Sequence, residues 1–407
     1  MHIVIACEAA SITASMRDAL RLGRELAGRG HRISYVMGDS VAFAEYGSAI
    51  RSDTALAAPL LREPPELILK RRPPSGFDDT MAIAGFANSL QLQALAKSWT
   101  VQLELLRPDA IVGFSSPLLW LVGPCFAPTF AAGSGDLLPP AIGAGFPRLS
   151  ASAPPLAADH AMIDNANLVL HTLGAQPIET LAGVLERCQM LLYGLPWLDP
   201  HLQLRRQPSL GMLSEPPVLA PVAAKKRLAA VLDVFCPNIE ALLLGLAGVD
   251  EIELEIFVAG ATAGMTRFLR QHSHVRVTSD FFDLASRLGE MAGLVHHGDP
   301  DLAEIAMALG LAQLALPFLP HQQNATANFE WMGSMAKVSP SDEIAKNADM
   351  LKWFAGNMSL VVHAQHHARQ MKATGLTCAL PDMVERIERA ASPPMLRRDA
   401  SVAASSL

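Results

Sequence analysis

Charge is scarce in this sequence. Only 17% of its 407 residues are Asp, Glu, Lys or Arg, and 32 basic side chains face 39 acidic ones, a formal net charge of −7. That sign excludes a protein that holds nucleic acid through its overall field. Aromatic residues are also few, 6% with 3 tyrosines, so base-stacking platforms are not expected. Cysteine is limited to five scattered positions, Cys7, Cys125, Cys188, Cys236 and Cys378, with no Cys-x-x-Cys pair. An odd, dispersed set in a chain of this length reads as reduced core thiols of a cytosolic protein, not as a disulfide framework. No smooth apolar run is long enough for a membrane span, which needs about 20 residues. Residues 110–132 carry no charge but include Pro117, Pro124 and Pro128, which predicts strand and loop. The N-terminus lacks a basic segment, and a polar run follows at residues 11–18, so no signal peptide is expected. The expected location is the cytoplasm, with peripheral contact at the inner membrane surface compatible with it.

Apolar residues are plentiful, half of the chain, which excludes a disordered protein. At roughly 100–200 residues per domain the length predicts two domains, or three. Residues 2–6 form a β-branched run suited to a buried parallel strand. Ser11, Thr13 and Ser15 then offer helix caps, residues 17–29 have helical spacing, and Gly30 separates them from a second strand at 32–37. This βαβ unit starts a doubly wound sheet. Further strands are predicted at 110–113 and 168–171. Six prolines between residues 195 and 222 read as an interdomain linker. A second α/β series follows, with strands at 228–234, 252–258, 275–278, 293–296 and 313–316 and a helix at 239–246. The expected fold class is α/β, two Rossmann-like halves, with a frayed Ala/Ser tail at 400–407.

The strongest motif runs Gly293-Leu-Val-His296-His297-Gly298-Asp299-Pro300-Asp301 and on to Pro320-His321-Gln322-Gln323-Asn324. A strand passing through a glycine turn into a helix aims free backbone N–H groups and partial positive charge into the sheet crevice, a ready diphosphate site. An ordinary βα turn with two chance histidines explains the residues equally well. The segment resembles the donor-binding signature of GT-B glycosyltransferases of the UDP-glucuronosyltransferase and antibiotic glycosyltransferase type. Their pattern is His-His-Gly-Gly-x-Gly-Thr, a helix ending in Gly, a Pro-Gln-Leu-x-Leu-Pro strand and an Asp-Gln pair. Arg24-Glu25-Leu26-Ala27-Gly28-Arg29-Gly30-His31 is similar to the family's first helix and second strand. Residues 275–280 stand where the family has the strand before its donor loop, and 383–390 resemble the helix that crosses back to the N-terminal domain. The resemblance spans residues 1–391.

The resemblance implies a GT-B fold: an N-terminal acceptor domain over 1–205, a donor domain over 225–379 and a returning helix near 380–395, hinged around 205–225. It implies inverting transfer of a sugar from a nucleotide-diphosphate donor, UDP or dTDP, to an acceptor hydroxyl. The expected donor residues are His296, His297, Gly298, Asp299, His321, Gln322 and Asn324. No cofactor and no essential metal are implied, only the nucleotide sugar as co-substrate, and a homodimer is compatible with the family. The apolar stretch 118–130 points to a lipid or weakly polar small-molecule acceptor.

Three departures matter. Gly298-Asp299-Pro300-Asp301-Leu302 replaces Gly-Gly-x-Gly-Thr, so Asp299 becomes the N-cap and Pro300 the first helical residue. Two carboxylates there repel a diphosphate unless a metal or basic side chain compensates. His321-Gln322 replaces Asp-Gln, and Asp283-Leu284 replaces Pro-Gln in the preceding loop. The family's catalytic His falls at or beside Ser15, and its Asp falls within residues 113–116, so neither member of the dyad is present. The remaining candidate bases are Glu8, at the mouth of the first strand, and Asp18, with helix-capping and first-turn roles as their plainer readings. The missing dyad keeps a non-catalytic GT-B partner or binding protein open beside the transferase. His363, His366 and His367 have metal-ligand spacing without a carboxylate or Cys, and the clusters 70–72 and 225–227 are basic. For all of these, solvated surface is the plainer reading.

Overall fold

The computed structural model describes residues 1–8, 13–39, 43, 54–60, 74, 76–135, 137–141, 145–148, 154–215, 227–319, 322–323, 325–327, 333–373, 375 and 377–391. The chain alternates strand and helix through two six-stranded parallel sheets. In the first half come β1 (His2–Cys7), α1 (Thr13–Gly28), β2 (Arg32–Met37), β3 (Thr54–Ala57), α2 (Phe77–Met81), α3 (Ser89–Leu106) and β4 (Ala110–Phe114). They are followed by α4 (Pro117–Val122), β5 (Thr129–Gly133), α5 (Asp159–Thr172), α6 (Gly183–Glu186) and β6 (Gln189–Leu192). The second half runs β7 (Arg227–Asp233), α7 (Ile239–Ala247), β8 (Glu253–Ala259), α8 (Ala263–Leu269), β9 (Val275–Val277), α9 (Phe281–Ser286) and β10 (Gly293–His296). It ends with α10 (Pro300–Leu309), β11 (Ala312–Ala315), β12 (Met335–Lys337), α11 (Ile344–Gly356), α12 (Met358–Ala373) and α13 (Leu380–Ala391).

The sheets are ordered β3-β2-β1-β4-β5-β6 and β12-β11-β10-β7-β8-β9, so both reverse direction beside their first strand. Register pairs Cys7 with Met37 and Phe114 in the first sheet, and His296 with Val231 and Ala315 in the second. Central strands are apolar without alternation, as when helices cover both faces; Ile3 to Cys7 are wholly buried. The C-terminal α13 returns to the first half. Its Met383, Val384 and Ile387 join one apolar cluster with Ile3, Ile5 and Leu22, and Glu388 meets His31 Nε2 at 2.8 Å.

Two expectations are corrected. Residues 168–171 are the last turns of α5, not a strand. Met162, Ala166, Val169 and Leu170 recur at helical spacing on the buried face, and Leu168 points outward. Within 110–132 the prolines do not prevent a helix, because Pro117 opens α4 where its missing N–H costs nothing. Leu118 to Val122 and Phe130 are at most 1% exposed, so their apolarity serves the core and says nothing of an acceptor. The described part of the proline-rich segment is anchored. Arg205 donates to Asp199 Oδ2 at 2.5 Å and to Leu138 O at 2.7 Å, and Met212 bridges to Cys378. The rest of that segment, 216–226, and the tail 400–407 lie outside the described residues. Among the described residues no helix is long and apolar enough to cross a membrane.

Candidate active site in the interdomain cleft

The carboxyl ends of β1 and β4 form the switch point of the first sheet. Glu8 follows β1 directly and turns back under α4. Its Oε2 accepts from Leu118 N–H at 3.0 Å, and its Oε1 accepts from Leu119 N–H at 2.9 Å and Trp99 Nε1–H at 2.7 Å. Its own N–H donates to Ser116 Oγ at 3.1 Å. Burial pushes the carboxyl up to about 8, against these three donors, which favour the anion. In this geometry Glu8 is the cap of α4. Glu8→Ala leaves the Leu118, Leu119 and Trp99 N–H groups without their acceptor, and should lower unfolding free energy by about 1–3 kcal/mol in urea titration. An unchanged midpoint would show that the cap carries no stability.

Ser15, at or beside which the resemblance expects a His, meets Ser115, one of the residues 113–116 among which it expects an Asp. Their hydroxyl oxygens are 2.9 Å apart, both residues are buried, and Ser115 holds a left-handed φ of 46°. The tertiary structure thus brings a hydroxyl of α1 against a hydroxyl of the turn after β4. Asp18, one helical turn after Ser15, accepts the Tyr193 hydroxyl at 2.6 Å and lies 3.4 Å from Arg21 Nη1. Burial first, and then the Asp301 carboxylate, push Asp18 up to about 7. The Tyr193 phenol is likewise driven well above its ordinary value by burial and by Asp18.

In the second half, His296, His297, Gly298, Asp299 and Gln322 gather at the carboxyl end of β10. Gly298 N–H donates to His296 Nδ1 at 3.2 Å, leaving Nε2–H to face Gln313 Oε1 at 3.1 Å. Asp233 N–H donates to His297 Nε2 at 2.9 Å, so Nδ1–H faces Leu316 O at 2.9 Å. Both rings are therefore neutral braces with both nitrogens engaged inside the protein. Burial lowers the two imidazoles, His296 to about 4. Gly298 has φ +92°, and a Cβ there would lie 2.5 Å from Thr326 Cγ2, so only glycine fits the turn. Gln322 Oε1 accepts from Phe318 and Leu319 N–H, each at 3.1 Å, while its amide nitrogen reaches Asp299 Oδ1 at 3.5 Å. His321 and Asn324 lie outside the described residues, as do the basic residues 70–72 and 225–226. His363 and His366 are exposed on α12, and among the described residues no group of three or more His, Cys, Asp or Glu has the arrangement to hold a metal ion.

The two halves meet through charges. Arg17 Nη2 donates to Asp301 Oδ1 at 3.0 Å and Asp299 Oδ2 at 3.3 Å, and Arg21 Nη1 reaches Asp301 Oδ2 at 3.4 Å. The Arg17 guanidinium lies 4.4 Å from the centre of the Phe281 ring. Glu304, on α10, accepts from Leu195 N–H at 2.6 Å, and burial holds its carboxyl well above the usual range. The acidic turn is thus compensated by arginines from α1. Arg17, Arg21, Tyr193, Phe281 and Glu304 carry no motif. The one sequence signal, for Arg17 and Arg21 alone, is charge in the early turns of α1 amid Met16, Ala19, Leu20 and Leu22, all buried. Residues 15–20 are all buried, and Asp301 of α10 meets Arg17 there.

These acids give the protein a signed pH dependence. Asp18 and Glu8 bind protons more tightly folded than unfolded, with pKa raised from 3.8 and 4.5 to about 7 and about 8. Their contribution is full below the unfolded values and is lost as pH rises through the folded ones. The buried histidines, with lowered pKa, titrate below about 6.5. Thermal scans from pH 6.5 to 8.5 should therefore show a falling midpoint. A rising one would mean that the carboxylates are stabilised as anions.

No protein-family model matches the chain, and no curated protein matches its sequence. Solved structures do match. The glycosyltransferase VinC, solved in complex with dTDP, is 18% identical with a TM-score of 0.59, over 96% of this chain and 99% of that one. The spinosyn rhamnosyltransferase SpnG, solved with spinosyn aglycone, is 13% identical at 0.62, over 95% and 99%. The glycosyltransferase SnogD from Streptomyces nogalater is 16% identical at 0.57, over 96% and 99%. Identities this low define the fold alone. The chain has the GT-B fold, two Rossmann-like domains facing a central cleft with the last helix crossing back. The three solved structures named above share it, two described as glycosyltransferases and one as a rhamnosyltransferase.

Proposed function

We propose that the protein transfers a sugar, with inversion, from a nucleoside-diphosphate donor such as a UDP- or dTDP-sugar to a hydroxyl of a small-molecule acceptor. The observation that carries this reading is the meeting of two switch points. Ligands of doubly wound sheets collect at the carboxyl ends of the strands where the order reverses. Here the crevice beside β1 and β4 faces the crevice beside β10 across a shared boundary, marked by Arg17, Asp299 and Asp301. One cleft so built holds two substrates end to end. On this reading the Gly298–Asp299 turn, the N–H groups of α10 and Gln322 take the donor, with His321 and Asn324 beside them. The base is Asp18. It lies at the boundary with a carboxyl titrating near neutrality, which suits removal of a hydroxyl proton, whereas Glu8 is committed to capping α4.

A second reading, a GT-B protein that binds without catalysing, is favoured by the Ser15–Ser115 pair, since a hydroxyl is no base at neutral pH. One experiment separates the two. The protein is incubated with UDP-, dTDP- and GDP-sugars, with release of the nucleotide followed by chromatography and binding followed by thermal shift. A donor that binds at ~100 times its dissociation constant adds about 2.7 kcal/mol of stability. Nucleotide release supports the transferase. Stabilisation without release supports the binding protein, and neither response with any donor sinks the nucleotide-sugar reading.

A further inference from the structure

The acidic turn before α10 carries chemistry opposite to that of a diphosphate site. Phe281, Asp299 and Asp301 offer an aromatic face and two carboxylates, the complement of a guanidinium, and a guanidinium fills them. Its owner, Arg17, belongs to the other domain, 282 residues away from Asp299, and its side chain is 1% exposed. Arg21, one turn on, holds the second oxygen of Asp301 and also Asp18, which Tyr193 fixes in turn. A single chain of charges therefore runs from the acceptor-side helix to the start of α10. We propose that Arg17 is an interdomain latch: seated in the Phe281–Asp299–Asp301 socket, it keeps the cleft closed and covers the start of α10, so a donor diphosphate enters only when it withdraws. The second half of this statement rests on the reading of the cleft as a nucleotide-sugar site. The first half does not.

The physics favours a latch over a permanent weld. A buried ion pair adds little net stability over apolar packing, but it fixes one geometry, because a shifted register strands a charge in the interior. When the domains part, guanidinium and carboxylates regain water together, so opening strands nothing. In the latched arrangement Asp18 is 3% exposed, between Tyr193 of its own domain and the Arg21–Asp301 contact.

The test is small-angle X-ray scattering on the full chain, with circular dichroism as the check on folding, for wild type, Arg17→Met and Asp299→Asn/Asp301→Asn. A triple variant, Arg17→Met/Asp299→Asn/Asp301→Asn, leaves no unpaired charge in the socket and so guards against loss of fold. All three variants should show a larger radius of gyration than wild type. In parallel, UDP and dTDP are titrated calorimetrically. Asp299→Asn/Asp301→Asn, which releases Arg17 from its two carboxylates to face the phosphates, should bind at least about tenfold more tightly than wild type. Unchanged radii in all three folded variants overturn the latch. Closed domains that bind nucleotide at wild-type affinity overturn it too and leave the donor reading standing. Larger radii with no nucleotide bound by any variant support the latch and sink the donor reading instead.

Discussion

Asp18→Asn is expected to lower sugar transfer by about 10²–10⁴ in turnover while leaving the donor KM unchanged. The substitution keeps the side-chain shape and an oxygen for the Tyr193 hydroxyl at 2.6 Å, so the loss isolates the proton acceptor. An acceptor hydroxyl is a poor nucleophile until its proton leaves, and a base works best when its pKa lies near the working pH. Asp18 meets this condition because burial and the neighbouring Asp301 raise its carboxyl to about 7. The pH–rate profile supplies a readout that a structural role would not move. In wild type the rate should fall below about pH 7 as the carboxyl takes up its proton, and in Asp18→Asn the residual rate should lose that limb. Turnover within a few-fold of wild type would remove Asp18 from the chemistry.

The second large effect is a gain. Ser15→His together with Ser115→Asp, placed in the Asp18→Asn background, should restore turnover by about 10², within the range of a general base. The two hydroxyls are already 2.9 Å apart, so a carboxylate at 115 can orient an imidazole at 15. The backbone at 115 suits the change, because φ is 46° and Asp is among the few residues enriched in the left-handed region. Each single change should do little: Ser15→His alone leaves the imidazole without an orienting partner, and Ser115→Asp alone supplies no proton shuttle. Initial rates for the double and both singles decide the matter. A double variant no faster than its parent would mean that the acceptor hydroxyl does not come beside α1.

The architecture was legible along the chain. Buried parallel strands announce themselves through short apolar runs, and residues 32–37 and 293–296 match β2 and β10 residue for residue. The turn before α10 was legible as well, since Asp then Pro at a helix start and a glycine with positive φ are local requirements. Legibility failed where the local pattern was ambiguous. Leu168-Val169-Leu170 reads as a strand until Met162 and Ala166 are seen to share its buried face, and β3, β6 and β12 lie where no strand was expected.

Sequence by itself therefore determined the two alternating α/β halves and the glycine turn, because backbone preference and apolar periodicity act between near neighbours. The resemblance it carries also implied that the dyad residues are missing. What each charged or polar group does was decided only by the tertiary structure. Glu8 caps a helix 110 residues away, the histidines brace β7 and β11, and Arg17 answers Asp299 and Asp301 across the cleft. Burying a charge is costly without a partner within a few ångströms, and which partner arrives is set by how sheets and domains pack, not by spacing along the chain.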